Sequence, residues 1–145
     1  MIPKFRAWGR YGNYPGTPLE KFEMFYDVSV VTTYNDKEQY VIADFDMYSK
    51  SDYSGTEIID YTLMEYIGVL DKNGKEVYRY DIVKLNSGKL IAVMFLNGVF
   101  DPVCFYDSDQ IEVVGNVLEN PELLKGVEDD TEIRRWSDGK IFYRK

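Results

Sequence analysis

The chain has 145 residues and a formal net charge of −8, room for one domain with one core and at most a small appendage. It has no His and a single Cys, which excludes His-based triads, His metal ligands, internal disulfides and multi-Cys zinc sites. Its acidity opposes broad contact with phosphate backbones or anionic lipid, and 45% hydrophobic with 29% charged residues indicates a folded rather than a disordered chain.

Aromatic residues make up 16% of the chain, a richness that favours strands, where rings pack on a pleated surface. Lys4–Trp8 reads as a short strand, and the Gly- and Pro-punctuated run Gly9–Pro18 reads as a long loop. Glu23–Thr33 carries Val, Thr and aromatic residues and predicts one strand, followed by a turn over Asn35–Glu38. Gln39–Tyr48 alternates, with Val41, Ala43, Phe45 and Met47 on one side and Tyr40, Ile42, Asp44, Asp46 and Tyr48 on the other, the mark of a half-buried strand. Ser49–Thr56 breaks that pattern. Within Glu57–Tyr66 the spacing of Ile58, Ile59, Thr62, Leu63 and Tyr66 fits a helical stripe, while Tyr61, Leu63 and the β-branched residues also tolerate a strand; of the two, a short helix or turn is expected over 57–60 and a strand from about Leu63.

Asn73-Gly74 predicts a type I′ hairpin turn between Gly68–Lys72 and Lys75–Tyr78. Asp81–Leu85 is a strand, Asn86-Ser87-Gly88 a turn, and Lys89–Leu96 a single, mostly apolar strand. Asn97-Gly98 gives a second type I′ signal into Val99-Phe100. Pro102 bends or ends that ladder, and Val103–Tyr106 is expected to resume it. After a turn at Asp107–Asp109, Ile111–Val117 forms another strand. Asn120-Pro121 opens one helical turn that Gly126 ends, and Asp138-Gly139 predicts a terminal hairpin. Short strands joined by tight turns indicate a mainly β chain: a small antiparallel SH3-like barrel, or a strongly bent sheet, with short helical turns and a C-terminal β-hairpin. The expected organisation is an N-terminal β-rich segment, 1–60, packed on a barrel core, 61–125, with a hairpin extension, 126–145, all in one compact unit. No apolar run reaches the roughly 20 residues that span a bilayer, and the N-terminus has no apolar secretory core, so a cytoplasmic protein is expected.

Five stretches in order, Lys4–Trp8, Leu63–Gly68, Asp71–Tyr78, Asp81–Val83 and Ile111–Leu124, resemble the YopX family, small proteins of bacteriophages and prophages. The resemblance covers about Lys4 to Leu124. It implies a mainly β protein with an SH3-type barrel, working in a bacterial cytoplasm during infection or lysogeny. It implies no assigned activity and supplies no catalytic residues. One departure stands out: the family pattern places Gly where this chain has Tyr80. If that Gly takes a positive φ, the chain is expected to bend differently there, or Tyr80 to add a ring to a surface.

Chemistry-bearing clusters are sparse. Asp44 and Asp46 share a strand face and, with Asp27 or Asp52, offer a carboxylate site for Mg²⁺ as in nucleases; the competing reading is a solvated face on an acidic protein. Asp71–Gly74 fails as a calcium loop, since the sixth and twelfth positions are Glu76 and Ile82. Lys4, Phe5, Arg6, Trp8, Arg10 and Tyr11, and the tail cluster Arg134-Arg135-Trp136, mix cations with rings as single-strand nucleic-acid binders do, against the opposition of the net charge. Cys104 has no His or second Cys to activate it, and no Ser-x-x-Lys, Gly-x-Ser-x-Gly or phosphate-loop pattern occurs. The N-terminal third is crowded with Tyr11, Tyr14, Tyr26, Tyr34, Tyr40, Tyr48 and Tyr53, and Tyr is enriched where proteins meet. The resulting expectation is a non-enzymatic module without cofactors that binds a protein, itself or a host factor, through a surface including Trp8, Tyr11, Tyr14, Tyr80, Arg134, Arg135 and Trp136. The metal enzyme and the nucleic-acid binder are the alternatives.

Overall fold

The computed structural model describes residues 3–11, 21–35, 37–47, 53–96, 98–101, 103 and 106–124. Within them the chain is mainly β and every strand pair is antiparallel: β1 (Phe5–Tyr11), β2 (Glu23–Tyr26), β3 (Ser29–Thr32), β4 (Gln39–Met47), β5 (Tyr53–Leu70), β6 (Glu76–Tyr78), β7 (Asp81–Leu85), β8 (Leu90–Ala92), β9 (Met94–Leu96), β10 (Val99–Asp101) and β11 (Ile111–Asn116). 3₁₀ turns at Ser108–Gln110 and Pro121–Leu124 are among the short helical elements. No helix among the described residues is long and apolar enough to cross a membrane. The expected hairpin at Asp138-Gly139 lies outside the described residues. The chain divides into two compact units, Met1–Glu65 and Tyr66–Lys145, and β5 passes from one into the other.

In the first unit the strands run β2-β1-β5-β4-β3. β2 and β3 occupy opposite edges, yet only Asp27 and Val28 separate them in sequence. The sheet therefore curls until its edges meet at that point. β2 pairs with β1 and β3 with β4, so the described strands of this unit form a strongly bent sheet; nor do the described strands over 61–125, where the sequence predicts the SH3-like barrel, pair into a closed barrel. Ala7, Phe25, Val28, Val41, Ala43 and Ile58 fill its core, with Phe5, Tyr61 and Leu63 packed against them. The run Glu23–Thr33 is two strands rather than one, because Asp27 takes a φ of 54° and turns the chain.

Two β-bulges set the curl, and they are built alike. Trp8 faces Thr62 but Arg10 faces Ile59, so Gly9 opposes both Asp60 and Tyr61. Ala43 faces Thr56 but Asp46 faces Ser54, so Gly55 opposes both Asp44 and Phe45. In each, the first bulged residue is an Asp in the left-handed region, Asp60 at φ 50° and Asp44 at φ 54°, a conformation that Asp tolerates better than most side chains. In each, the facing position has no room for a side chain. A Cβ on Gly9 would lie 2.7 Å from Ile58 Cγ2, 2.9 Å from the Ile59 carbonyl and 3.1 Å from Tyr61 Cα. A Cβ on Gly55 would meet the corresponding atoms: Ile42 Cγ2, the Ala43 carbonyl and Phe45 Cα. The sequences Ile58-Ile59-Asp60-Tyr61 and Ile42-Ala43-Asp44-Phe45 are thus two copies of one device. The first also corrects the reading of 57–60 as helix or turn. These residues are strand, and the extra residue shifts the period of two so that the isoleucines mimic a helical stripe.

In the second unit β11-β7-β8 form one sheet, β9 and β10 a hairpin, and β6 pairs with the end of β5. Val77, Val83, Leu85, Ile91, Val93, Val103 and Ile111 make the core. The Asn73-Gly74 turn is present, but Gly74 alone of the two takes a positive φ, 80°. The Gly74 N–H donates to the Asp71 carbonyl at 3.0 Å and the Asp71 N–H to the Lys75 carbonyl at 2.8 Å, which makes a three-residue loop ending in a left-handed glycine rather than type I′. The loop Asn86-Ser87-Gly88 repeats this wiring between Leu85 and Lys89. Asn97 lies outside the described residues.

Lys89–Leu96 is not one strand. Val93 interrupts it, because its N–H donates to the Asp81 carbonyl at 2.8 Å and its carbonyl accepts from the Tyr80 N–H at 2.7 Å. Of Val103–Tyr106, expected to resume the ladder, only Val103 and Tyr106 are described; neither lies in a strand, and the Tyr106 N–H donates to the Val103 carbonyl at 3.1 Å.

Candidate interaction surface

The surface begins with the β1–β2 register. Arg6 faces Tyr26 and Trp8 faces Met24, so Arg6, Trp8, Met24 and Tyr26 share a face, and alternation adds Phe22. Ring geometry agrees: Trp8 stacks on Phe22 with centroids 6.3 Å apart and 17° between planes, and the Arg6 guanidinium lies 6.0 Å from the Tyr26 ring centre. Phe22 and Tyr26 are 44% and 55% exposed, while Phe25, pointing the other way, is in the core. Trp8, expected on the surface, is therefore half-buried in an aromatic row. Tyr11 is exposed, but its ring meets Phe25 edge-on at 4.9 Å, away from that row. Tyr14, Arg134, Arg135 and Trp136 lie outside the described residues, as do Tyr48, Asp52 and Cys104. Phe22 and Met24 were missed by sequence reasoning. The signal lay in Phe22-x-Met24-x-Tyr26, three large side chains at the period of a strand.

Tyr80 does not belong to the surface. It is 2% exposed, and it takes the positive φ itself, 71°, so the chain keeps the glycine-like bend rather than bending differently. A bulky residue in that region is strained by about 1–2 kcal/mol. The strain is held because both backbone groups are committed: the N–H to Val93, and the carbonyl, which accepts from the Val117 N–H at 2.9 Å. Its ring lies 5.0 Å from the Arg79 guanidinium.

The other candidates are placed by backbone demands. Asp44 is a bulge residue, and the extra position interrupts the regular alternation that put Asp46 beside it. Among the described residues no group of three or more His, Cys, Asp or Glu could hold a metal ion. Asp27 lies 3.6 Å from Lys4 Nζ. The Arg10 guanidinium clasps Asp60, Nε at 2.8 Å and an Nη at 2.7 Å from Oδ2. Two of the cations in the 4–11 cluster are thus occupied by acids. A shallow depression lined by Thr32, Thr33, Tyr34, Asn35 and Lys37 sits at the β3–β4 turn.

Buried polar groups in the second unit grip main chain. Asp71, 4% exposed, accepts from the N–H groups of Asn73 and Lys75 at 2.9 Å through Oδ1 and of Val113 at 2.9 Å through Oδ2. Burial alone would raise its pKa; the hydrogen bonds from Val113, Lys75 and Asn73, helped by the Lys75 charge, outweigh it and hold the carboxyl below its ordinary value. Asp81, 1% exposed, accepts from the Tyr78 N–H at 2.8 Å. Asn116 Oδ1 accepts from the N–H groups of Leu118 and Glu119, and its own N–H donates to Asn120 Oδ1.

The YopX protein family profile matches residues 4–125. The chain belongs to the YopX family. Among solved structures it is similar to protein EF1440 from Enterococcus faecalis, with 27% identity, 86% of this chain and 99% of that chain covered, and a TM-score of 0.54. No curated protein matches it. Three of the five YopX stretches, Asp71–Tyr78, Asp81–Val83 and Ile111–Leu124, carry side chains that tie loops to strands, and a fourth, Lys4–Trp8, carries Arg6 and Trp8 of the aromatic row.

Proposed function

We propose that this YopX protein is a non-enzymatic phage or prophage accessory protein of the bacterial cytoplasm that acts by binding protein through the aromatic row on β1 and β2. One observation carries the reading: Phe22 and Tyr26 stand about half exposed beside Trp8 on the outermost strand of the described sheet, whereas Asp71, Asp81 and Asn116 are consumed by backbone. Exposed rings with few torsions give large contact area at low entropic cost, and outer strands are common docking sites. The acidic charge selects against nucleic acid and anionic membrane as the target.

The test is retention of proteins from the host lysate by the whole protein and by its Phe22→Ser/Tyr26→Ser double variant. A retained protein, or a self-associated form, that the variant loses supports the reading. Equal retention by both, or a metal-dependent nuclease activity lost in Asp44→Asn, sinks it.

A further inference from the structure

The row on β2 can be set against a copy of itself. When two antiparallel copies of one strand pair around a twofold axis perpendicular to the sheet, residues whose numbers add to a constant oppose each other. That constant must be even for opposed side chains to share a face. Centring the axis on Met24, the middle of the exposed Phe22-x-Met24-x-Tyr26 row, gives the sum 48. Phe22 of each copy then faces Tyr26 of the other, and Met24 faces Met24. At both outer ends Lys21 faces Asp27. The sequence thus opposes Phe22 to Tyr26 and Lys21 to Asp27 in a single register, with Glu23 against Phe25 between them on the core-facing side.

The outer elements of that pairing are accessible. β2 is the outermost strand of the described sheet on that side. Phe22 and Tyr26 are 44% and 55% exposed. Lys21 is exposed, and the Asp27 side chain is 74% exposed even with Lys4 beside it. The chain turns at Asp27, where φ is 54°, so the paired segment is short and ends at the charge pair. Shifting the axis by one residue in either direction keeps the parity but destroys both matches. Around Phe25, Lys21 faces Ser29 and Phe22 faces Val28, which is buried; around Glu23, Phe22 faces Met24 and the two glutamates meet on the axis.

We propose that this chain forms a twofold dimer through antiparallel pairing of β2 with β2 of a second copy, in the register that opposes Lys21 to Asp27 and Phe22 to Tyr26. This rests on the proposed protein-binding role of the same row and names the partner as a second copy. The aromatic pairs supply the contact, and the two flanking charge pairs fix the register, since like charges opposed across strands destabilise them.

Sedimentation velocity on the full chain over a concentration series reads the dimer. Lys21→Glu sets Glu against Asp27 twice per dimer and is expected to weaken dimerisation about tenfold or more, in a salt-dependent way. Lys21→Glu combined with Asp27→Lys restores opposite charges and is expected to recover most of that loss. Because Asp27→Lys also removes the contact with Lys4, Tyr26→Lys offers a second reading at an exposed position: it sets a charge against Phe22 and yields monomer with an unchanged far-ultraviolet spectrum. A wild-type chain that stays monomeric throughout, or a dimer indifferent to Lys21→Glu and Tyr26→Lys, overturns the proposal. If that monomer still captures a host protein through Phe22 and Tyr26, the binding role stands and self-pairing alone falls.

Discussion

The two units of this YopX protein both interrupt their strand pairing with bulges, the second between Val113 and Gly115, but they differ in what else holds the bends. The second places buried polar side chains under its loops: Asp71, Asp81 and Asn116 collect main-chain N–H groups at 2.8–3.1 Å. The first relies chiefly on its two bulges. Its bulges set a left-handed Asp against a glycine, and the Asp60 side chain forms a partly exposed pair with Arg10. A loop held by a buried carboxylate has one arrangement, because every alternative leaves that carboxylate or its donors unsatisfied. A strand bent at a bulge keeps its outer face clear for other uses, and there the rings stand exposed.

The largest expected effect breaks the carboxylate side of this contrast. Asp71→Ala removes the acceptor of three N–H groups and should lower unfolding stability by about 3 kcal/mol, read from urea midpoints at constant slope. The same residue gives a pH signature. Its folded pKa lies below the ordinary 3.8, so the folded state binds the proton less readily than the unfolded. The stabilisation is complete above that value and is lost as pH falls below it through the folded pKa. The stability gap between wild type and Asp71→Asn should therefore narrow on acidification below about 4, and a gap constant down to pH 2 would contradict the assignment.

Next comes the bulge side. Gly9→Ala drives a methyl against Ile58 and the Ile59 carbonyl and should destabilise by about 1–3 kcal/mol, although Ala is ordinarily no worse than Gly in a strand. A thermal melt no lower than wild type would mean the bulge relaxes freely. A smaller effect sharpens the exception at Tyr80. Tyr80→Gly and Tyr80→Ala both delete the buried ring, but only Gly takes a φ of 71° without strain. Tyr80→Gly should therefore be the more stable of the two by about 1 kcal/mol, the reverse of their usual order. The smallest effect tests the exposed row: Phe22→Ser and Tyr26→Ser should each shift stability by only about 0.5 kcal/mol while removing binding.

Much of the fold was legible where local pattern and tertiary demand coincide. Gln39–Tyr48 alternates along the part of β4 before the bulge, and Asn73-Gly74 marks a real turn because glycine is needed there. The turn type was misread because Asp71 accepts the Asn73 and Lys75 N–H groups, which selects a loop one residue longer. The bulges were invisible because Asp44 and Asp60 adopt a glycine-like conformation without being glycine. Asp27 hid the break between β2 and β3 in the same way, and Tyr80 hid its bend most completely. The aromatic row was half legible: Trp8 and Tyr26 stood out as rings, but which rings share a face depends on the β1–β2 register, which no single strand encodes.

The twin bulges leave β5 clamped from both flanks. It receives the β4 protrusion at Gly55 and thrusts its own toward Gly9 at Asp60, five positions further on. Sliding β5 by one position would bring Ser54 or Thr56 into a slot that admits no side chain, and on the other flank would carry the protrusion off the glycine that accommodates it. Misaligned pairings of this long central strand are thereby excluded sterically, and the chain acquires its alignment from two missing methyl groups.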